Sequence, residues 1–182
     1  LNQQARSRWI PAFAGMTDHF YVPNLYIATL MNFISTRNNA PAATLSQAIA
    51  AGLAPDGGLY VPEHMPAARQ LQRGDTLADT AAQLIAPFFE DDALAAELPA
   101  ICREAFDFPA PLLPLATPND QVLELFHGPT AAFKDFGARF LAACLTRLHQ
   151  QADRPLTILV ATSGDTGAAV AAAFHKQPGL RV

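Results

Sequence analysis

The stretch Glu124-Leu125-Phe126-His127-Gly128-Pro129-Thr130-Ala131-Ala132-Phe133-Lys134-Asp135-Phe136-Gly137 sets a single lysine at the point where a strand gives way to a helix. Upstream, Gln121 to Phe126 alternates polar and apolar before turning continuously apolar, the pattern of a short, partly buried strand. Gly128-Pro129 breaks it. From there Phe133, Phe136, Phe140, Cys144 and Leu148 recur three or four apart, which is one face of a helix of several turns, with Thr130 as its expected N-cap. Lys134 therefore falls in the first helical turn, where unpaired N–H groups and the macrodipole disfavour an ammonium. A neutral amine is what imine chemistry with an aldehyde requires. Solvated surface lysines share the same geometry, and the residues alone leave both readings open.

A second strand-to-helix junction follows. Pro155 ends one element, and Leu156-Thr157-Ile158-Leu159-Val160-Ala161 is an apolar run suited to a strand covered on both faces. Thr162-Ser163-Gly164-Asp165-Thr166-Gly167 forms a polar loop, and Ala168 to His175 reads as an alanine-rich helix. Strand, helix, strand, helix in this order predicts a βαβα unit whose right-handed crossover brings both loops to one edge of a parallel sheet. Two hydroxyls, two glycines and a helix N-terminus make either a tight turn or a cradle for a carboxylate or phosphate. The loop is not a dinucleotide GxGxxG, lacks the GK[ST] of a P-loop, and has no GxSxG elbow.

The composition excludes other classes. Of 182 residues, 51% are hydrophobic and 15% charged, and the net charge of −4 offers no polybasic face for nucleic acid. No run of about 18 apolar residues is long enough to span a membrane. Cys102 and Cys144 lack CxxC spacing and lie in apolar helical surroundings, as reduced core thiols of a cytoplasmic protein would. The five histidines are scattered singly, without an HExxH or a His/Cys cluster, so no metal site is expected and each reads as surface or core filler.

Toward the N-terminus, Phe33-Ile34-Ser35-Thr36 has strand character, and Leu45 to Leu53 reads as a short helix with Thr44 as N-cap and Gly52 as its stop. Asp56-Gly57-Gly58 forces a turn before the β-prone Leu59-Tyr60-Val61. Between Gly74 and Phe108 the apolar spacing is helical, and Glu90, Asp91, Asp92 and Glu97 read as a solvated face or helix N-terminal charges. Pro109, Pro111, Pro114 and Pro118 punctuate a connection too proline-rich to be helical, where a domain boundary is expected.

The run ELFHGPTAAFKDFGARFLA resembles the cofactor-lysine segment of threonine synthases, which are pyridoxal 5′-phosphate enzymes of the fold that includes the tryptophan synthase β chain. GLAPDGGLYVPE and the start Met31-Asn32-Phe33-Ile34-Ser35-Thr36-Arg37 resemble the N-terminal signature of the same family. The resemblance implies that Lys134 binds the cofactor covalently and that Asp165 lies beside its 3′-oxygen. It likewise implies that Ser163 and Thr166 hold the substrate α-carboxylate. The implied reaction is that of a carbon–oxygen lyase acting on phosphates, turning O-phosphohomoserine and water into threonine and phosphate. The expected fold is α/β: a partial parallel-sheet pyridoxal-phosphate fold over residues 111–182, preceded by a small, mostly helical α+β domain over residues 31–110. Residues 1–30 show no sustained period and are expected to be a non-family extension, translated upstream sequence or a mis-called start, that packs poorly. Family members are more than twice this length, so the resemblance also implies a fragment. A non-catalytic remnant and another amino-acid lyase or dehydratase of the same fold are the alternatives, the latter disfavoured by GLAPDGGLYVPE.

Overall fold

The computed structural model describes residues 31–182 except 68, 69, 73 and 75, so the reading of residues 1–30 lies outside the described residues. Strand β1 (Phe33–Ser35) pairs antiparallel with β2 (Tyr60–Pro62), with Ile34 opposite Val61. Between them, helix α1 (Leu45–Ala51) starts and stops as its local chemistry dictates. Thr44 and Gln47 form a reciprocal capping box, and Gly52 ends the helix at a φ of 71° that disfavours any residue with a Cβ.

The Asp56 turn is held by its own carboxylate. Asp56 accepts from Ser35 Oγ at 2.7 Å, Gly58 N at 2.9 Å and Asn39 N at 3.0 Å, while Gly57 takes a φ of 77°. The Ser35 hydrogen bond is the main reason the carboxyl lies below its usual value of 3.8, reinforced by the Gly58 and Asn39 amides and the Arg37 charge and opposed by partial burial. A carboxyl lowered on folding stabilises the native state above its unfolded value of 3.8 and loses that contribution as pH falls through the folded value. The melting-temperature gap between wild type and Asp56→Asn is therefore expected to be full near neutral pH and to narrow below the unfolded value. A gap of constant width in thermal melts across that range would refute the assignment.

The larger core forms where α2 (Leu77–Ile85) and α3 (Leu98–Ala105) meet α4 (Lys134–Leu148). Phe89, Leu94, Leu98, Ile101, Cys102, Ala143 and Cys144 are buried together. Ile101 has no exposed surface, so Ile101→Ala leaves a cavity that costs about 2–5 kcal/mol. At roughly 2–4 °C per kcal/mol for a chain of this size, a melting temperature lowered by less than about 3 °C would contradict that placement. Both cysteines are free and buried, as expected, and burial pushes their thiols up to about 11 for Cys102 and about 12 for Cys144. They are packing groups, not nucleophiles.

The carboxylates before and within α3 do more than face solvent. Asp92 accepts from Ser46 N at 2.8 Å and from the Ser46 hydroxyl, tying the loop before α3 to the first turn of α1. Glu97 and Glu104 both engage Arg147 of α4, at 3.3 and 3.0 Å. Arg139, a turn above Lys134's end of the same helix, donates to the carbonyls of Ala105 and Glu104 at 2.8 and 2.6 Å, satisfying acceptors left open where α3 ends. The Phe106 ring lies between Phe136 and Phe140, at centroid distances of 6.1 and 5.8 Å. Helix α4 is thus anchored to the N-terminal part of the chain along much of its length.

The sheet topology departs from expectation. Strand β3 (Leu112–Pro114) lies inside the proline-rich connection and pairs antiparallel with β4 (Gln121–Leu123), with every residue of both strands exposed. The strand expected over Gln121 to Phe126 is shorter than its apolar run and is not partly buried. Likewise only Leu156–Thr157 of the second apolar run forms a strand, β5, and Leu159 is 90% exposed. It pairs parallel with β6 (Leu180–Arg181) across helix α5 (Asp165–Phe174). Strands β4 and β5 therefore share no sheet among the described residues, and the parallel crossover is β5-α5-β6 rather than β4-α4-β5. What joins α4 to α5 is a cluster of Ala138, Ala142 and Leu145 with Ala169, Ala173 and Phe174, whose small residues let the two helices pack closely.

Candidate active site

Helix α4 opens at Lys134 itself, with Phe133 in the N-cap position and no side-chain cap. Thr130 is not the N-cap that its residue type suggested. Instead the carboxylate of Asp135, the second residue of the helix, reaches back and takes both Thr130 donors, the backbone N–H at 2.9 Å and the hydroxyl at 2.8 Å. A helix N-terminus favours a carboxylate, and this one is strong enough to turn Thr130 from acceptor into donor. The intervening turn runs through Ala131 at a φ of 56°, a left-handed conformation that costs a residue with a Cβ roughly 1–2 kcal/mol.

Lys134 is half-buried, and its ammonium lies over the Phe133 ring, 3.4 Å from Nζ to the centroid. Phe133 remains 58% exposed. Just upstream, His127 is not a solitary filler: its Nε2 lies 2.6 Å from Glu124 Oε2, and its ring stacks on Phe126 with centroids 4.7 Å apart. The Glu-x-x-His spacing was visible in the sequence, but nothing there fixed the backbone between the two residues. The Asp135 clamp and the Glu124–His127 pair are contacts of the Lys134 segment that reading the sequence missed.

The second loop is more open. Ser163, Asp165 and Thr166 are all exposed, and Asp165 is the first residue of α5. Gly164 occupies the N-cap without a side-chain cap; its own N–H donates to Thr162 Oγ1 at 3.4 Å and that of Gly167 to Gly164 O at 2.9 Å, which leaves the Asp165 and Thr166 amides for something else. Gly167 packs against the Thr162 methyl, which would have to turn aside for a Cβ at that position. Lys134 and Asp165 thus each open one of two helices that pack on each other, α4 and α5. Among the described residues no hydrogen bond or ion pair joins Lys134 to Ser163, Asp165 or Thr166. A groove lined by Thr76, Asp79, Arg103, Phe106, Phe108 and Pro111 contains none of these residues. No cluster of three or more metal-ligating side chains occurs among the described residues, and no described helix is long and apolar enough to cross a membrane.

Residues 32–106 match the family model described as the threonine synthase N terminus. Threonine synthase from Haemophilus influenzae is 40% identical over 154 residues, which cover 84% of this chain and 36% of that protein. The Escherichia coli enzyme is 39% identical over 156 residues, with the same coverage of 84% and 36%. The crystal structure of pyridoxal-phosphate-bound threonine synthase from Brucella melitensis superposes with a TM-score of 0.73 at 38% identity, covering 82% of this chain and 34% of that one. The chain carries the N-terminal region of the threonine synthase family. It spans about 36% of the length of the curated threonine synthases it matches. The Lys134 segment and the Ser163 loop both lie beyond the stretch matched by the N-terminal family model.

Proposed function

We propose that this chain supplies the cofactor lysine and the substrate-carboxylate loop of a threonine synthase, a pyridoxal-phosphate-dependent lyase forming threonine from O-phosphohomoserine. The observation that carries the reading is the placement of Lys134 and of the Ser163 to Gly167 loop at the starts of two helices, α4 and α5, packed on each other.

The residues fit the cofactor. Lys134 is a primary amine on a helix anchored to the rest of the chain, and the uncapped start of α5 presents backbone donors beside two exposed hydroxyls. When bound, pyridoxal 5′-phosphate supplies the electron sink for chemistry at the substrate's carbons. Lys134 would hold the cofactor covalently, and its amine, when free, would move protons at Cα and Cβ of the substrate. Ser163 and Thr166 donate to the substrate α-carboxylate, with the N-terminus of α5 adding positive potential. Asp165 would supply a carboxylate on the side of the cofactor's 3′-oxygen. In this reading, residues 31–110 form the N-terminal domain and residues 111–182 begin the cofactor domain of a cytoplasmic enzyme.

The chain contains only two lysines, Lys134 and Lys176, so it carries its own internal reference. Incubation with pyridoxal phosphate, reduction with borohydride and peptide mass mapping should place the adduct on Lys134 in several-fold excess over the exposed Lys176. Equal labelling would count against a prepared site. Turnover is tested by grafting residues 31–182 in place of the matching third of the Escherichia coli enzyme and measuring phosphate release from O-phosphohomoserine.

A further inference from the structure

Asp135 directly follows Lys134 in the chain, yet only 1% of it is exposed. A carboxylate withdrawn from water must have its oxygens satisfied, and here one residue five positions earlier satisfies both. Thr130 N donates to Oδ2 at 2.9 Å and Thr130 Oγ to Oδ1 at 2.8 Å. Among the described residues no cation pairs with this carboxylate, so hydrogen bonding rather than an ion pair holds it.

Gly128 closes on the same group from the far side of the turn. A Cβ at that position would stand 2.5 Å from Asp135 Oδ2 and 2.8 Å from Asp135 Cβ, so the backbone approaches as only glycine permits. Between Gly128 and Thr130 the chain is committed to a turn in which Ala131 N donates to Gly128 O at 3.1 Å. Left-handed Ala131 opposes that turn, and the Asp135 carboxylate is what grips it from the helix side.

We infer that Asp135 is a positioning residue for Lys134, its carboxylate locking the Gly128 to Ala131 turn onto the first turn of α4 and so fixing where the amine starts; this rests on Lys134 being the cofactor lysine. The clamp spans the turn from Gly128, which follows His127 in the chain, to Asp135, which follows Lys134. A reacting group displaced by about 1 Å can lose roughly a hundredfold in rate, so rigidity at this point has a chemical return.

The test uses the full 182-residue chain and the Lys134-to-Lys176 labelling ratio obtained with pyridoxal phosphate and borohydride. Asp135→Ala is expected to lower that ratio about tenfold, with Lys176 labelling unchanged and thermal unfolding still cooperative. Asp135→Asn keeps both contacts, its carbonyl oxygen accepting from Thr130 N–H and its amide donating to the Thr130 hydroxyl, and should retain most of the preference. A wild-type preference that survives in Asp135→Ala, or that Asp135→Asn and Asp135→Ala lose equally, overturns the positioning role. If Asp135→Ala does not unfold cooperatively, Thr130→Val removes one of the two contacts while keeping the carboxylate. A partial fall in that variant supports the clamp, and an unchanged ratio overturns it. A wild-type ratio near one overturns the cofactor-lysine reading instead, and the positioning role with it.

Discussion

Lys134→Ala in the chimera with the Escherichia coli enzyme is expected to abolish phosphate release from O-phosphohomoserine, a loss on the order of a thousandfold or more. That is the scale seen when a group that bonds covalently to the reacting system is removed, because no neighbouring side chain supplies an equivalent amine. Lys134→Arg should fail equally, since a guanidinium keeps the charge over Phe133 but stays protonated and forms no bond to an aldehyde. The pair of variants separates chemistry from electrostatics. Were arginine to restore a substantial part of the activity, Lys134 would be a charge and not a covalent partner. In the free chain, Lys134→Ala should leave Lys176 as the only lysine labelled by pyridoxal phosphate, at its wild-type yield. A new dominant adduct elsewhere would move the cofactor site.

Lys134's place at the head of a helix was legible because helix signals are local. The apolar series Phe136, Phe140, Cys144, Leu148 falls on one face at any level of tertiary detail, and α1 was readable for the same reason, with Thr44, Gln47 and Gly52 all within eight residues of one another. Strand partners were not legible. QVLELF carries β character, but its partner Leu112–Pro114 sits among prolines that mask it, and Pro114 is tolerated only because the two-stranded sheet is all edge. The parallel pairing of Leu156 with Leu180 depends on α5 folding back over β5, which no residue of either strand records. At the site itself the error was one of competition. Thr130 has the right type and nearly the right position for a cap, but Asp135 is a stronger acceptor on the positive end of the helix, and the contact runs in reverse. Asp92, taken as solvated, likewise serves the start of another helix 46 residues away in sequence.

Thr166→Val separates the second loop from the first. Thr166 is exposed in the first turn of α5, so exchanging its hydroxyl for a methyl of similar shape removes a donor without opening a cavity in the core. If that hydroxyl meets the substrate α-carboxylate, the variant chimera loses one charge-assisted hydrogen bond, worth roughly 1.5–3 kcal/mol, or about tenfold to over a hundredfold in kcat/KM. Labelling of Lys134 by pyridoxal phosphate should not change, because the amine and its clamp lie on α4 and the turn before it. Thr166→Ser, which keeps the hydroxyl, should recover most of the loss. The opposite pattern, in which Thr166→Val binds pyridoxal phosphate poorly yet shows normal kcat/KM once saturated with it, would make the start of α5 a cradle for the cofactor's phosphate. The N-terminal amides of α5 suit either anion. The hydroxyl variants decide between them because a substrate carboxylate is bound anew in every turnover, whereas a cofactor phosphate is bound once.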